Sequence, residues 1–232
     1  MKRLSGNMII IIYPGDDDHV LHTGAMLHCP QNPIRMIDVE TLLAWGAVYK
    51  KLGPEEIIFQ EGNKCHFYHQ LVSGSVRWTS PKDDGGEFIQ NMIEPGESFG
   101  EFPLFDGSPY EASAITNKES VVIRLHKDTF HQMMKQCPEL YPEFLKLYTE
   151  RMRFKFLQLK ELSCFGPEHR ISTLFNYFKK SNRSICKKCN RMDLTRQQVA
   201  NMTGLRVETV IRSIRHMKEN GQLVIERGKV YC

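Results

Sequence analysis

Residues 194–223 read LTRQQVANMTGLRVETVIRSIRHMKENGQL, and this stretch decides the fold. Thr195 is a good helix N-cap, and Gln198 three residues on completes a capping box. A helix of roughly eight residues is predicted to follow. Ala200, Gly204 and Val210 then stand four and six apart. A helix-turn-helix needs those residue types at such positions: a small residue where two helices cross, a Gly in the turn, and a branched apolar residue facing back from the second helix. On that second helix Val207, Val210, Ile214 and Met217 recur at steps of three or four and form the stripe to be buried. Glu208, Ile211, Arg212 and Arg215 fall on the opposite face, and Arg206 stands at the entrance. Such a face suits the major groove of duplex DNA. Arg takes a guanine edge bidentately, Glu accepts from a cytosine amino group, and an aliphatic group meets a thymine methyl. The candidate DNA-binding residues are Thr195, Arg196, Gln197, Arg206, Glu208, Thr209, Ile211, Arg212 and Arg215.

Downstream, Asn220-Gly221 stops the helix, and LVIERGKVYC alternates apolar and polar residues about Arg227-Gly228. That pattern predicts a short hairpin, or wing, with Arg227 and Lys229 able to reach phosphates. Charge agrees with this reading. Residues 164–232 hold 14 Lys/Arg against 5 Asp/Glu, whereas residues 1–163 hold 17 against 22. A basic C-terminal part on an acidic remainder points to a polyanionic partner.

Upstream, short β-branched and aromatic runs fill residues 52–125, among them EEIIFQ, FYHQLVSGSVRW, EFIQNMI and ESVVIRL. Gly-, Pro- and Asp-rich turns separate them, which predicts a compact antiparallel barrel or sandwich. Residues 38–51 read as one short amphipathic helix and residues 126–136 as another. Pro138 opens a long helical pattern to residue 163, in which Leu145, Met152 and Leu159 recur every seven residues beside Tyr148, Phe156 and Leu162. Such a seam pairs with a twin helix, packs on its own barrel, or does both. Ser163–Pro167 supplies a Gly and a Pro for a hinge.

The 232 residues suggest two domains. The seven cysteines are odd in number and scattered, which fits a reducing, cytoplasmic setting rather than a disulfide framework. The apolar run Met8–Tyr13 is too short for a signal peptide, and residues 1–37 are taken as an extension. No apolar run approaches the roughly 20 residues that span a bilayer, so no membrane partner is expected.

A barrel, a long helix and a winged helix-turn-helix in this order resemble the CRP/FNR family of bacterial transcription regulators. The matching motifs are LVSGSV (71–76), EPGESFGE (94–101), LFDG (104–107) and LTRQQVANMTGLRVETVIR (194–212), the last close to the FNR branch. The resemblance implies an α+β protein with an antiparallel cyclic-nucleotide-binding-type β-roll at 38–137, a dimerisation helix at 138–163 and a winged helix-turn-helix at 164–232. It implies a homodimer on palindromic double-stranded DNA, with RNA polymerase as a further contact, and no enzymatic activity. Family base-reading residues fall on Glu208 and Arg212, while Ile211 stands where the FNR branch has Ser.

The effector expected from the resemblance is less plain. In cAMP-binding members a Gly-Glu supports the ribose, and an Arg-Ser about ten residues on takes the cyclic phosphate. Gly100 and Glu101 match the first element, but Tyr110 or Glu111 falls at the Arg position, and no Arg or Lys lies between Phe99 and Asn117. Burying a phosphate without a cation is costly, and Glu111 would repel it. The expected pocket comprises Phe99, Gly100, Glu101, Tyr110, Glu111, Ala112 and Lys155, with Lys155 as a substitute cation and cAMP disfavoured. Residues 1–51 contain only Cys29, which argues against an iron–sulfur cluster. Nine His and eleven Met leave haem open as an alternative without singling out a ligand. Cys186 and Cys189 have the spacing of a zinc knuckle or a redox pair, against ordinary thiols in a basic turn. A cupin-like metalloenzyme using His66, His69 and Glu101 is the alternative from a different class, though the spacing is not the HxH typical of cupins.

Overall fold

The computed structural model describes residues 37–231 except 84, 182 and 187. The expected N-terminal extension up to residue 36, with Cys29, lies outside the described residues. The β-rich runs form strands β1 (Val48–Leu52), β2 (Ile57–Phe59), β3 (Phe67–Ser73), β4 (Val76–Pro81), β5 (Glu87–Ile93), β6 (Ser98–Phe99), β7 (Ser113–Thr116) and β8 (Ser120–His126). They build two antiparallel four-stranded sheets in the orders β1-β8-β3-β6 and β2-β7-β4-β5. Side chains from both sheets, including Tyr68, Leu71, Trp78, Phe99 and Leu125, bury one another in a shared core. The pattern of short strands and turns predicts an antiparallel barrel or sandwich, and the resemblance specifies the β-roll seen here.

One predicted helix splits. Residues 38–51 become helix α1 (Val39–Ala44) and strand β1. The Asp38 carboxylate caps α1, and Gly46, at φ +84°, turns the chain out of it. Val48–Leu52 then pairs with β8 residue by residue, so sheet pairing overrides the helical period.

A short helix α2 (Phe102–Asp106) follows Glu101, and α3 (Lys127–Gln136) follows β8. The long helix α4 runs Leu140–Cys164, starting two residues after Pro138 rather than at it. Its first half packs on the roll through Leu140, Phe144 and Leu147. Phe154, two turns on, belongs to a second core. That core joins Ile89 and Met92 of β5 to helices α5 (Pro167–Ser181), α6 (Arg196–Thr203) and α7 (Val207–Glu219) and to the hairpin β9 (Val224–Glu226) and β10 (Lys229–Tyr231). Polar ties reinforce it. Arg183 donates to Glu97 (2.8 Å) and to the Met92 carbonyl, Ser184 Oγ donates to Glu94 (3.1 Å), and Asn201 donates to Glu87 (3.1 Å). The α4–α5 break falls at Phe165-Gly166, inside the predicted hinge.

Candidate nucleic-acid interface and effector cavity

The helix-turn-helix forms as its sequence dictates. Thr195 Oγ1 accepts from the Gln198 N–H (3.1 Å) and Gln198 Oε1 accepts from the Thr195 N–H (2.9 Å), closing the capping box. Gly204 takes φ +66° to turn the chain into α7, a left-handed conformation that suits glycine. Val210, Ile214 and Met217 are buried on one face of α7 and Val207 is partly so. Arg206, Glu208, Ile211, Arg212 and Arg215 are exposed on the other, and Thr209 is half-buried. No ion pair joins Glu208 to Arg212 among the described residues, so neither is committed to intrahelical pairing. Ile211 is a large apolar side chain 44% exposed on this face. Thr195 and Gln197 are exposed at the start of α6, whereas Arg196 is half-buried and donates weakly to the Gly228 carbonyl of the wing (3.4 Å). Gln197 donates to Asn201 (2.9 Å), the same Asn201 that reaches Glu87 of the roll. Arg227 and Lys229 are exposed on the wing.

The effector-pocket candidates separate into two groups. Phe99, Gly100, Tyr110 and Ala112 fill the inside of the roll rather than line a cavity. Tyr110 stacks on Phe59 at 3.8 Å, and Phe59 in turn stacks on Phe99. Gly100 sits at φ +65°, and any Cβ there would strike Phe59 and Tyr110. A cavity of about 260 Å³ lies against α4. Its walls are Trp78, Gln90 and Asn91 from the roll, Phe102 after Glu101, Tyr148, Arg151, Phe154 and Lys155 from α4, and Tyr177 and Arg183 from the C-terminal part. Glu111 stands at its mouth. Burial of its carboxylate, with Glu101 and Asp106 nearby, raises that pKa to about 7, although the residue as a whole is exposed.

Arg151 is the cation that the sequence reading missed. It donates to the fully buried Glu101 and to the Ser98 carbonyl, and its guanidinium lies 5.5 Å from the Trp78 ring centroid. Burial pushes the Glu101 carboxyl up while Arg151 pulls it down. Lys155, one turn further, donates to the Gln90 carbonyl (2.7 Å) and to Gln158 (3.3 Å). Trp78 Nε1 and Tyr148 OH are buried donors without a partner among the described residues, and both residues line this cavity.

Burial, then repulsion from Arg151, pushes Lys155 down from 10.5 to about 8. A base with a depressed folded pKa binds fewer protons folded than unfolded between those two values, so its cost to stability is complete below pH 8 and gone above 10.5. Lys155→Met should therefore stabilise the protein by roughly 1–3 kcal/mol at neutral pH, after allowance for the lost hydrogen bonds. Urea unfolding at neutral and alkaline pH should show the gain shrinking as pH rises. A variant less stable at neutral pH would refute the assignment. A lysine retained at a cost to stability fits a ligand-binding role better than a structural one.

The remaining candidates are placed plainly. His69 packs against Phe59 and Phe99, and burial holds its pKa near 3, so the imidazole is neutral. Glu101 is taken by Arg151. No three His, Cys, Asp or Glu gather to hold a metal among the described residues, which corrects the cupin-like alternative. Cys186 is half-buried and Cys189 exposed, both as free thiols. No helix among the described residues is long and apolar enough to cross a membrane.

Comparison with known proteins agrees with the fold. The family "Cyclic nucleotide-binding domain" matches residues 49–137. The CRP-like cAMP-activated global transcriptional regulator of Mycobacterium tuberculosis is 24% identical over 81% of this chain and 87% of its own length. The transcriptional activator protein anr of Pseudomonas aeruginosa is 25% identical over 76% of this chain and 72% of its own. The structure of FixK2 from Bradyrhizobium japonicum superposes with a TM-score of 0.69 at 19% identity, covering 80% of this chain and 91% of that one. The relatives are transcription regulators, not enzymes, and they include both CRP-type and FNR-type members, so no branch is singled out.

Proposed function

We propose that this chain is a CRP/FNR-family transcription regulator and that it acts in the cytoplasm as a homodimer on a palindromic operator; the match of residues 49–137 to the cyclic nucleotide-binding domain and the likeness to such regulators support the reading. The carrying observation is α7. One face is sealed into a core, and the other offers Arg206, Glu208, Ile211 and Arg212 to solvent on a basic C-terminal part. Glu208 and Arg212 read base edges, Ile211 meets a thymine methyl, and Thr195, Gln197, Arg227 and Lys229 hold phosphates. RNA polymerase is the further partner that the family suggests.

The second copy docks along α4. Leu145, Met152, Phe156 and Leu159 are exposed by 67, 55, 64 and 61% on one stripe of that helix. A dimer through this stripe sets two recognition helices into successive major grooves, about 34 Å apart.

The effector takes the α4 cavity rather than the roll interior. Phe59, Phe99 and Tyr110 occupy that interior, and the loop brings no cation to it. Aromatic walls, the cations Arg151 and Lys155, and the buried donors of Trp78 and Tyr148 suit a planar ligand with acceptor groups. Asn91, Glu97 and Arg183 belong both to the cavity and to the tie between roll and C-terminal part. Occupancy therefore biases how the DNA-binding helices sit, by population shift about Phe165-Gly166.

Selection of bound duplexes from a random pool tests the reading. Two-fold symmetric sites with half-sites about one helical turn apart are expected. The Ile211→Ser protein should select a changed base at one position in each half-site. An unsymmetrical or featureless set would overturn the DNA reading, and identical base preferences would overturn the Ile211 contact.

A further inference from the structure

The turn holding Cys186 and Cys189 is built more tightly than a solvated loop requires. Its two arms zip together. The Asp193 N–H donates to the Ser184 carbonyl (2.8 Å), Ile185 bridges Met192, and the Cys186 N–H donates to the Arg191 carbonyl (2.8 Å). The Asn190 N–H then closes back on the Cys186 carbonyl (2.8 Å), with Asn190 itself at φ +55°. With that closure the Cys189 thiol donates to the Cys186 sulfur, so the two side chains are in contact.

The tip also has a consequential position. At its root, Arg183 and Ser184 grip Glu97 and Glu94 of the roll. On its other arm, the Met192 N–H donates to the Val230 carbonyl (2.9 Å) and Arg191 bridges Tyr231, so this arm lies against β10 of the wing.

We propose that Cys186 and Cys189 form a redox-active dithiol that exchanges with low-molecular-weight disulfides and tightens the strand supporting the wing. Cys186 is the attacking thiol. The Cys189 thiol and the backbone N–H groups of Lys188 and Cys189 stabilise its thiolate, and Arg191 adds positive charge, all of which hold its pKa below the usual thiol value. The thiolate attacks one sulfur of the small disulfide and expels one thiolate, which takes up a proton. Cys189 then loses its proton and attacks the Cys186 sulfur of the mixed disulfide, expelling the second thiolate. Two protein thiols and one small disulfide become one protein disulfide and two small thiols, so two electrons leave the protein. A structural zinc site would need about four ligands, and zinc binding through both thiols is the competing outcome that the test below separates.

The test uses the full-length protein and oxidised glutathione. Peptide mapping by mass spectrometry follows the order in which the cysteines react. The expected result is an intramolecular 186–189 disulfide, reversed by dithiothreitol, forming at least about tenfold faster than any adduct on the exposed Cys164. The Cys189→Ser protein should stop at a glutathione adduct on Cys186. Hydrogen exchange at the Met192 amide should slow in the oxidised protein. Reaction at Cys164 first, stoichiometric zinc binding that needs both thiols, or an unchanged Met192 amide would overturn the proposal. None of these readouts depends on DNA binding.

Discussion

A protein carrying Leu145→Glu and Phe156→Glu sediments as a monomer and binds its selected operator about 10²–10⁴-fold more weakly than the parent. Both side chains are about two-thirds exposed on α4, at 67 and 64%. Neither supports the fold of its own chain, so the urea transition of the monomer itself should stay within about 0.5 kcal/mol. Their exposure is nevertheless anomalous. Four large apolar side chains on one stripe, each worth roughly 1.5–3 kcal/mol when buried, do not stay in water without a reason. A twin helix removes that cost from both copies at once. Glu at two stripe positions replaces it with desolvation of four carboxylates in the dimer. The DNA consequence follows from geometry. One α7 per monomer engages one half-site, so the second half-site no longer adds its effective concentration. Sedimentation velocity and fluorescence anisotropy on whole-site and half-site duplexes check both parts. A variant that remains dimeric would remove α4 as the interface.

The helix-turn-helix was legible because every level of its sequence agrees. The capping box, the Gly204 turn and the apolar stripe of α7 each specify the same structure, and the coordinates reproduce all three. That residues 52–125 form antiparallel strands was legible for a different reason, the turn residues between short β-branched runs, while the choice of a roll over another barrel or sandwich came from the resemblance. The segment 38–51 was not, because the bonds that make Val48–Leu52 a strand come from β8, whose paired residues Ser120–Arg124 are far along the chain. A helical period within the segment carries no trace of that partner. The cavity misled in a more instructive way. The loop after Gly100, where the resemblance implies a cation, carries no Arg or Lys up to Thr116. The cation comes from α4 instead. A signal was present. Leu147, Arg151 and Phe154 share one buried helix face, and an Arg placed between buried apolar residues at that spacing is rarely left without an acid. Glu101 was that acid, fifty residues away in sequence, which single-sequence pattern cannot connect.

Arg212→Ala should weaken binding to the selected operator by roughly 30-fold to 10⁴-fold, since one bidentate base contact is worth about 1–3 kcal/mol and the dimer makes it twice. Arg212 is exposed on α7 and makes no ion pair among the described residues, so the fold should be unaffected. Loss of affinity alone would not prove base reading, because any Arg near DNA adds phosphate attraction. The contrast with Lys229→Ala resolves the two effects. Lys229 lies on the wing, and its loss should weaken selected and random duplexes alike and lower the salt slope by about one unit per protomer. Arg212→Ala should instead fall mainly on the selected site, leave random-sequence binding within about threefold, and relax base preference at one position per half-site. Anisotropy titrations at several salt concentrations with both duplexes distinguish these outcomes. Equal losses on both duplexes would make Arg212 a phosphate contact and return base recognition to Glu208 and Ile211.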